Sequence, residues 1–377
     1  MAMQRFTGIF LAVCLFVGLL FPMQVQGVEV SAKACILMEA ATGRVLYEKH
    51  AREKLPMAST TKIMTTLLCI ESGGLDEEFV VDNAAIHVEG SSMGLQENDI
   101  VTKRALCCGM LLPSGNDAAN AAAVAVAGSI PDFITMMNAR AAEIGMKDTC
   151  FVTPSGLDGE GHGASAYDMA LLTREAMRNS MFREICARKS ANVNFGNPPY
   201  ARTLYNTNKL LGMCEGVIGV KTGFTDEAGR CLVSACERDG VTLYCVTLSA
   251  PNDWQDHQKL YDYGFSHVQK TELAIPEELS QKVVGSDTQQ IALVPEKTLC
   301  IGAFEGDTSA VTYKILKPPF SYAPICAGDE VGMLEYYYED LCIGTVPLCA
   351  VQDAGMSEIQ VSGNLFQKLW NRVKNLF

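Results

Sequence analysis

The chain contains a single Ser-x-x-Lys, Ser59-Thr60-Thr61-Lys62, and it stands where a helix begins. No other feature constrains the fold as strongly. Pro56 turns the chain, and Ile63, Met64, Leu67, Leu68 and Ile70 then recur at helical spacing until Gly73-Gly74. Residues three apart share a helix face, so the Ser59 hydroxyl and the Lys62 amine can meet. In the plain alternative, Ser59 caps the helix and Lys62 is solvated. As a base, Lys62 must be neutral, yet only about one ordinary lysine in 2,500 is neutral at pH 7. Bringing its pKa down to 7 takes roughly 4.6 kcal/mol of differential destabilisation of the ammonium. Burial and a nearby second cation both act in that direction. A catalytic Lys62 therefore demands a fold that encloses it and brings a remote cation to it.

Lys221-Thr222-Gly223 is the one K-T-G in the chain and supplies a candidate cation. It lies in a strand-like run from 217, followed by two apolar strands joined across Arg238-Asp239-Gly240. This pattern places Lys221 at a strand end beside that hairpin. Its amine could depress the pKa of Lys62 and attract a substrate carboxylate. Thr222 offers a hydroxyl to the same carboxylate, and Gly223 lets an extended substrate lie along the strand. A third piece, Ser114-Gly115-Asn116, falls at the break between two helical segments; there a serine could relay a proton and an asparagine could hold both a carbonyl and a lysine. S-x-N also occurs at 190 and 362. Only Ser114 lies between two helices and before the final strands. Each motif alone has an ordinary structural reading, and the joint order, with two of the three in helical context, favours chemistry.

The net charge of −13 argues against nucleic acid as a partner. Five scattered histidines form no ligand-spaced pair, which argues against a metal site. Residues 1–27, with Arg5 ahead of an apolar run from Ile9 to Met23, read as a secretory signal peptide. Fourteen further cysteines suit either disulfides in an oxidising space or buried thiols, and spacing does not choose between them.

Apolar runs on both sides of Ala41-Thr42-Gly43 read as a β-hairpin, residues 100 to 190 as mostly helical, and 253–268 as a helix closing the first unit. β-like segments from 274 to 355 read as a separate small domain. The expected division is thus 28–273, 274–355 and an amphipathic segment over 356–377. In that last stretch Leu365, Phe366, Leu369, Trp370, Val373, Leu376 and Phe377 share one helical face, with Lys368, Arg372 and Lys374 on the polar side. A basic amphipathic helix of this kind can lie in a membrane interface, and peripheral membrane contact through 359–377 is expected.

With these residues in view, the chain resembles the D-alanyl-D-alanine carboxypeptidases of the low-molecular-mass penicillin-binding protein family. The likeness runs from about 33 to 270 and includes "MASTTKIMT", "GSSMGL", "LLPSGNDAANA", "FVTPSGLDGEGHGASAYDMALL" and "GVKTGFTDEAGRCLVSACERDG". It implies an α+β fold, an antiparallel sheet with a helical cluster, followed by a β-rich domain and a terminal amphipathic helix. It further implies Ser59 as the acylated nucleophile, Lys62 as its base, Ser114 as proton relay and Asn116 as the substrate amide partner. Lys221 and Thr222 would bind the terminal carboxylate, and the backbone N–H groups of Ser59 and Phe224 would form an oxyanion hole. Phe224 departs from members with a polar residue after K-T-G, which bears on turnover. The implied partners are the peptidoglycan stem peptide and β-lactam antibiotics, outside the cytoplasmic membrane. The implied reaction needs no metal or organic cofactor. No E-x-x-L-N segment occurs between 117 and 220 to serve a β-lactamase, and an ordinary Ser-His-Asp protease needs a placed histidine, which the scattered histidines do not offer. A crosslink endopeptidase or transpeptidase, and an inactive wall-binding protein, are the remaining alternatives.

Overall fold

The computed structural model describes residues 28–357, Trp370 and 372–374. The expected signal peptide and most of the expected terminal helix lie outside the described residues.

The chain opens with a hairpin, β1 (Ala34–Glu39) and β2 (Val45–Lys49). Its turn is held by the buried carboxylate of Glu39, which accepts from the Ala41 and Thr42 N–H groups and the Thr42 hydroxyl. A 3-10 turn (Ala58–Thr61) then runs directly into α1 (Lys62–Glu71). Gly73 and Gly74, at φ +69 and +62, stop that helix in a conformation that costs glycine little. Two short strands follow, β3 (Glu78–Val80) and β4 (Ile100–Thr102), and then the helices α2 (Lys103–Leu111), α3 (Asn116–Ala127), α4 (Ile130–Ile144), α5 (Ala166–Ala176) and α6 (Ser180–Cys186). Thr102, Ser129, Ser165 and Asn179 cap four of them through their side chains. A second hairpin, β5 (Ser190–Gly196) and β6 (Pro199–Tyr205), pairs onto β4. Its signal in the sequence is short: Ala191, Val193 and Phe195 alternate with Ser190, Asn192 and Asn194 and turn toward the core.

After the short α7 (Leu210–Met213) come β7 (Val217–Thr225), β8 (Gly229–Arg238), β9 (Val241–Leu248) and α8 (Asp253–His267). These strands and the first hairpin make one antiparallel sheet, ordered β2-β1-β9-β8-β7. Both faces are covered. Ala34, Ile36 and Met38 of β1 point into the core shared with the helical cluster, whereas Cys35 and Leu37 point into the core under α8. Burial on two sides explains why these strands read as unbroken apolar runs. Small alanines at 118, 119, 121, 122 and 123 let α3 pack closely within the cluster.

One correction concerns Lys221. It sits in the middle of β7, paired with Val233, and not at a strand end. The strand continues to Thr225 because β8 starts at Gly229 and pairs back on it across a tight turn. Val233 belongs to the core facing the helical cluster, so Lys221 points to the same side of the sheet.

Beyond α8, β10 (Val268–Glu272) runs antiparallel to β13 (Cys300–Phe304). The rest of the C-terminal region comprises β11 (Ser280–Val284), β12 (Gln290–Pro295), β14 (Val311–Leu316), β15 (Ser321–Tyr322), β16 (Glu330–Tyr338) and β17 (Leu341–Ala350). They form a six-stranded sheet, ordered β14-β16-β17-β12-β11-β15, over a core that includes Leu293, Leu334, Tyr336, Val346 and Leu348. All fourteen described cysteines are free thiols, and eight are buried. Burial pushes the thiols of Cys35, Cys186 and Cys236 up to about 12, so they behave as small core hydrophobes.

Candidate active site

Ser59 lies within the 3-10 turn and caps no helix; the residue before α1 is Thr61, whose side chain makes no cap hydrogen bond to that helix. The turn is held from both sides. Thr61 Oγ1 donates to the Ala58 carbonyl at 2.8 Å, and His162 Nε2 lies 3.0 Å from the same hydroxyl. Because His162 Nδ1 accepts the Val152 N–H, its proton sits on Nε2 and is donated to Thr61. Burial lowers the His162 pKa to about 4, which keeps the ring neutral in that role.

Lys62 is fully buried at the first position of α1. Its Nζ lies 2.9 Å from Ser59 Oγ, 2.7 Å from Asn116 Oδ1 and 2.6 Å from the Ser155 carbonyl. These partners differ in kind. The Ser155 carbonyl can only accept. Asn116 Nδ2 donates to the Glu89 carbonyl at 2.7 Å, which orients the amide so that Oδ1 also can only accept. Once Lys62 loses a proton, its two remaining N–H bonds go to Asn116 and Ser155. The lone pair then faces Ser59, the one partner with a proton to give. Burial, first, and the charge of Lys221, second, hold the Lys62 pKa well below the usual lysine range, against a smaller opposing pull from Asp117.

Lys221 is buried too, and burial lowers its pKa to about 7. Its Nζ donates to the Thr222 carbonyl at 2.8 Å, while Thr222 Oγ1 lies 2.8 Å from Thr207 Oγ1. At Gly223 a Cβ would come within 3.1 Å of the Met57 carbonyl oxygen, the Ala58 Cβ and the Ser59 N. The glycine therefore lets β7 approach the backbone of the serine turn. Phe224 follows on the open side, 62% exposed. Ser114 adopts φ +67 in the link between α2 and α3. It lines a cleft of about 340 Å³ together with Ser59, Ser91, Thr207, Thr222, Gly223 and Phe224, continuing to Arg230, Asp253 and Trp254. The expected residues thus come together from three separate stretches of chain, 59–62, 114–116 and 221–224.

Several supports escaped the sequence reading. Asp117, one residue after Asn116, accepts from Ser92 Oγ and from the N–H groups of Met93, Gly94 and Leu95, tying that loop to the start of α3. At Gly90 a Cβ would lie 2.7 Å from Asn116 Nδ2, so only glycine leaves room for that amide. Gly156, at φ +86, passes so close to Ala58 that a Cβ would sit 2.0 Å from its carbonyl oxygen. Thr-Pro-Ser-Gly reads as a generic turn, and nothing local says that its carbonyl receives a buried lysine.

Residues 22–252 match the family described as D-alanyl-D-alanine carboxypeptidase, more than half of the chain. The chain belongs to that family. Residues 272–355 match the C-terminal domain of penicillin-binding protein 5. The chain is 32% identical over 333 residues to the D-alanyl-D-alanine carboxypeptidase DacF of Bacillus subtilis, covering 85% of each. With DacC of Escherichia coli it shares 30% identity over 374 residues, 94% of this chain and 90% of that protein. Among solved structures, penicillin-binding protein 5 from Haemophilus influenzae superposes with a TM-score of 0.62 at 26% identity, covering 87% of this chain and 98% of that one. The Streptomyces K15 DD-transpeptidase gives 0.61 at 32%, covering 64% and 100%. The α+β family fold and the serine-peptidase class expected from the motifs are thereby established, and the family places the enzyme outside the cytoplasm, at the cell wall.

Proposed function

We propose that this protein removes the terminal D-alanine from peptidoglycan pentapeptides through an acyl-enzyme on Ser59, and that penicillins acylate the same hydroxyl. The observation that carries this reading is the Lys62 amine, whose only proton-donating partner among the described residues is Ser59 Oγ. In the reaction, Ser59 Oγ attacks the D-Ala–D-Ala carbonyl and gives its proton to Lys62 Nζ. The oxyanion enters between the backbone N–H groups of Ser59 and Phe224, at the N-terminal end of α1, where the helix dipole favours negative charge. The leaving amine takes a proton from Lys62 by way of the Ser114 hydroxyl. Asn116 holds the substrate amide, and Lys221 with Thr222 receives the terminal carboxylate. Water then attacks the ester and frees Ser59.

Intact mass after exposure to benzylpenicillin tests this reading. Wild type gains one covalent adduct and Ser59→Ala gains none; an adduct on Ser59→Ala refutes it and leaves a wall-binding protein as the alternative. The likeness to a DD-transpeptidase favours one second reading, transfer of the acyl group to an amine. Released D-alanine without crosslinked product distinguishes the carboxypeptidase.

We also propose that the chain divides at 273/274, that residues 1–27 are removed on export, and that 359–377 attaches the enzyme peripherally to the outer face of the cytoplasmic membrane. The basic amphipathic pattern supports the attachment. A chain ending at Ser357 that still sediments fully with membranes refutes it.

A further inference from the structure

We propose that the end of the β-rich domain remote from the catalytic unit carries a second lipid-binding surface, formed by Val284, Leu316, Phe320, Tyr322 and Met356. The choice of a bilayer as occupant rests on the reading of 359–377 given above, and the surface adds contacts which that tail does not make.

Strand register places the surface. The turn between β16 and β17 presents Leu341, which lines a pocket with Arg140, Arg174 and Arg178 of the catalytic helices. That end of the sheet faces the catalytic unit. Along β17 the opposite end is Ala350, which pairs with Leu293 of β12. β12 in turn brings Gln290 beside Lys282 of β11, so β11 ends at Val284 on the far side. Leu316 pairs with Met333, itself opposite Pro347, toward the same end.

Five apolar side chains gather there in the open, with exposures from 38% at Val284 and Phe320 to 73% at Met356. Val284 and Tyr322 are directly paired, and the rings of Phe320 and Tyr322 meet edge to face at 5.3 Å. Ser357 N donates to the Gly285 carbonyl, which seats Met356 beside Val284. The loop that carries Phe320 is held from within. The fully buried Gln281 donates through Nε2 to the Pro318 carbonyl at 3.1 Å and to Ser321 Oγ at 3.0 Å, and Lys317 reaches the Ser280 carbonyl. A soluble domain gains nothing by fixing two aromatic rings in water, and exposed patches of this kind mark interaction sites.

Two observations select a lipid surface. The chain leaves the domain at Ser357, inside the patch, and continues into the basic amphipathic residues 358–377. Trp370 and Val373 of that segment are 66% and 49% exposed, which leaves apolar surface open beside the patch's own. Tyr partitions to the level of lipid headgroups, and Phe, Leu and Met supply apolar area that enters the acyl boundary. Lys282 and Lys317 border the patch, as do the acidic Asp287 and Asp353, so association here is chiefly apolar.

The test compares binding of the chain 28–377 to phosphatidylglycerol/phosphatidylcholine vesicles with that of Phe320→Ser/Tyr322→Ser and of a chain ending at Ser357. The double substitution weakens binding roughly tenfold while benzylpenicillin acylation, at the distant site, stays unchanged. The shortened chain retains weak binding, which the same pair of substitutions removes. In a Trp370→Phe background, the emission that Phe320→Trp adds to that of Trp254, taken as the difference from the Trp370→Phe parent, shifts to shorter wavelength on adding vesicles. Unaltered binding of the double variant, or an unmoved Phe320→Trp emission, overturns the proposal whether or not the tail binds. Full binding by the shortened chain sinks the tail reading and leaves this surface standing. A dimer in sedimentation velocity that the double variant abolishes would assign the surface to a second copy and overturn it.

Discussion

Gly156→Ala probes how closely the active site depends on a loop that contributes only a carbonyl. The new Cβ would lie 2.0 Å from the Ala58 carbonyl oxygen, 2.5 Å from the Ala58 carbonyl carbon and 2.9 Å from Thr61 Oγ1. Two of these are backbone atoms of the serine turn, so no side-chain rotation relieves the clash. The loop must retreat by about 1 Å before the worst contact reaches even 3 Å. The same retreat stretches the 2.6 Å bond from Lys62 Nζ to the Ser155 carbonyl to about 3.6 Å, which is no hydrogen bond. The φ of +86 adds left-handed strain of roughly 1–2 kcal/mol, and the lost acceptor costs about 1–3 kcal/mol. Together the domain should lose about 2–5 kcal/mol, a fall in Tm on the order of 10 °C. With one of its two acceptor anchors gone, the Lys62 lone pair is no longer confined to Ser59, and misplacement of that size costs about 10²-fold in rate. Stopped-flow acylation by benzylpenicillin, together with thermal melting followed by circular dichroism, measures both. A variant that acylates within about threefold of wild type would refute the claim that the Ser155 carbonyl aims the base.

Lys221→Met should separate stability from activity. The folded pKa of Lys221 is about 7 against an ordinary 10.5, so between those values the folded state holds fewer protons than the unfolded and stability rises with pH. Below pH 7 the burial penalty is complete; the substitution is therefore expected to stabilise the protein by a few kcal/mol at pH 6 and by less at pH 10, in urea titrations, while acylation falls. Removing that charge also relieves Lys62, whose pKa rises, so the acidic limb of the residual acylation–pH profile moves to higher pH. Asp117→Asn shifts that limb the other way, because Asp117 pulls the Lys62 pKa up, and it frees the 92–95 loop, read as faster hydrogen exchange there. His162 and His257, with pKa values lowered by burial to about 4 and 3, are neutral in the fold; their stabilising contribution is complete above pH 6.5 and is lost as pH falls toward those values. Unfolding midpoints measured from pH 7 to 4 should fall steeply, and replacing His257, whose ring bonds Ser234 and Thr247, by Gln (His257→Gln) should flatten the slope.

The helix from Lys62, the hairpin around Gly43, the three sheet strands from 217 and the later β segments were all legible, because each carries a period, a turn signal or a glycine stop of its own. The small β5–β6 hairpin was overlooked: Ala191, Val193 and Phe195 alternate with polar residues and pack on the core with Leu204, but that alternation is confined to five residues at the end of a helical region. The position of Lys221 within its strand depended on where β8 begins, a matter of partner register. The 3-10 turn at Ser59 was equally hidden: it exists because Gly156, Gly223 and His162 press on it from three other parts of the chain.

The order of Ser59-x-x-Lys62, Ser114-x-Asn116 and Lys221-Thr222-Gly223 was enough to point to the family, since an amine beside a hydroxyl serves as a base only with burial and a second cation. Which proton moves where was decided only in three dimensions. The direction of a lone pair depends on the donor or acceptor character of every neighbour, and the neighbours of Lys62 come from residues 59, 116 and 155, which only the packed fold brings within 3 Å of one nitrogen.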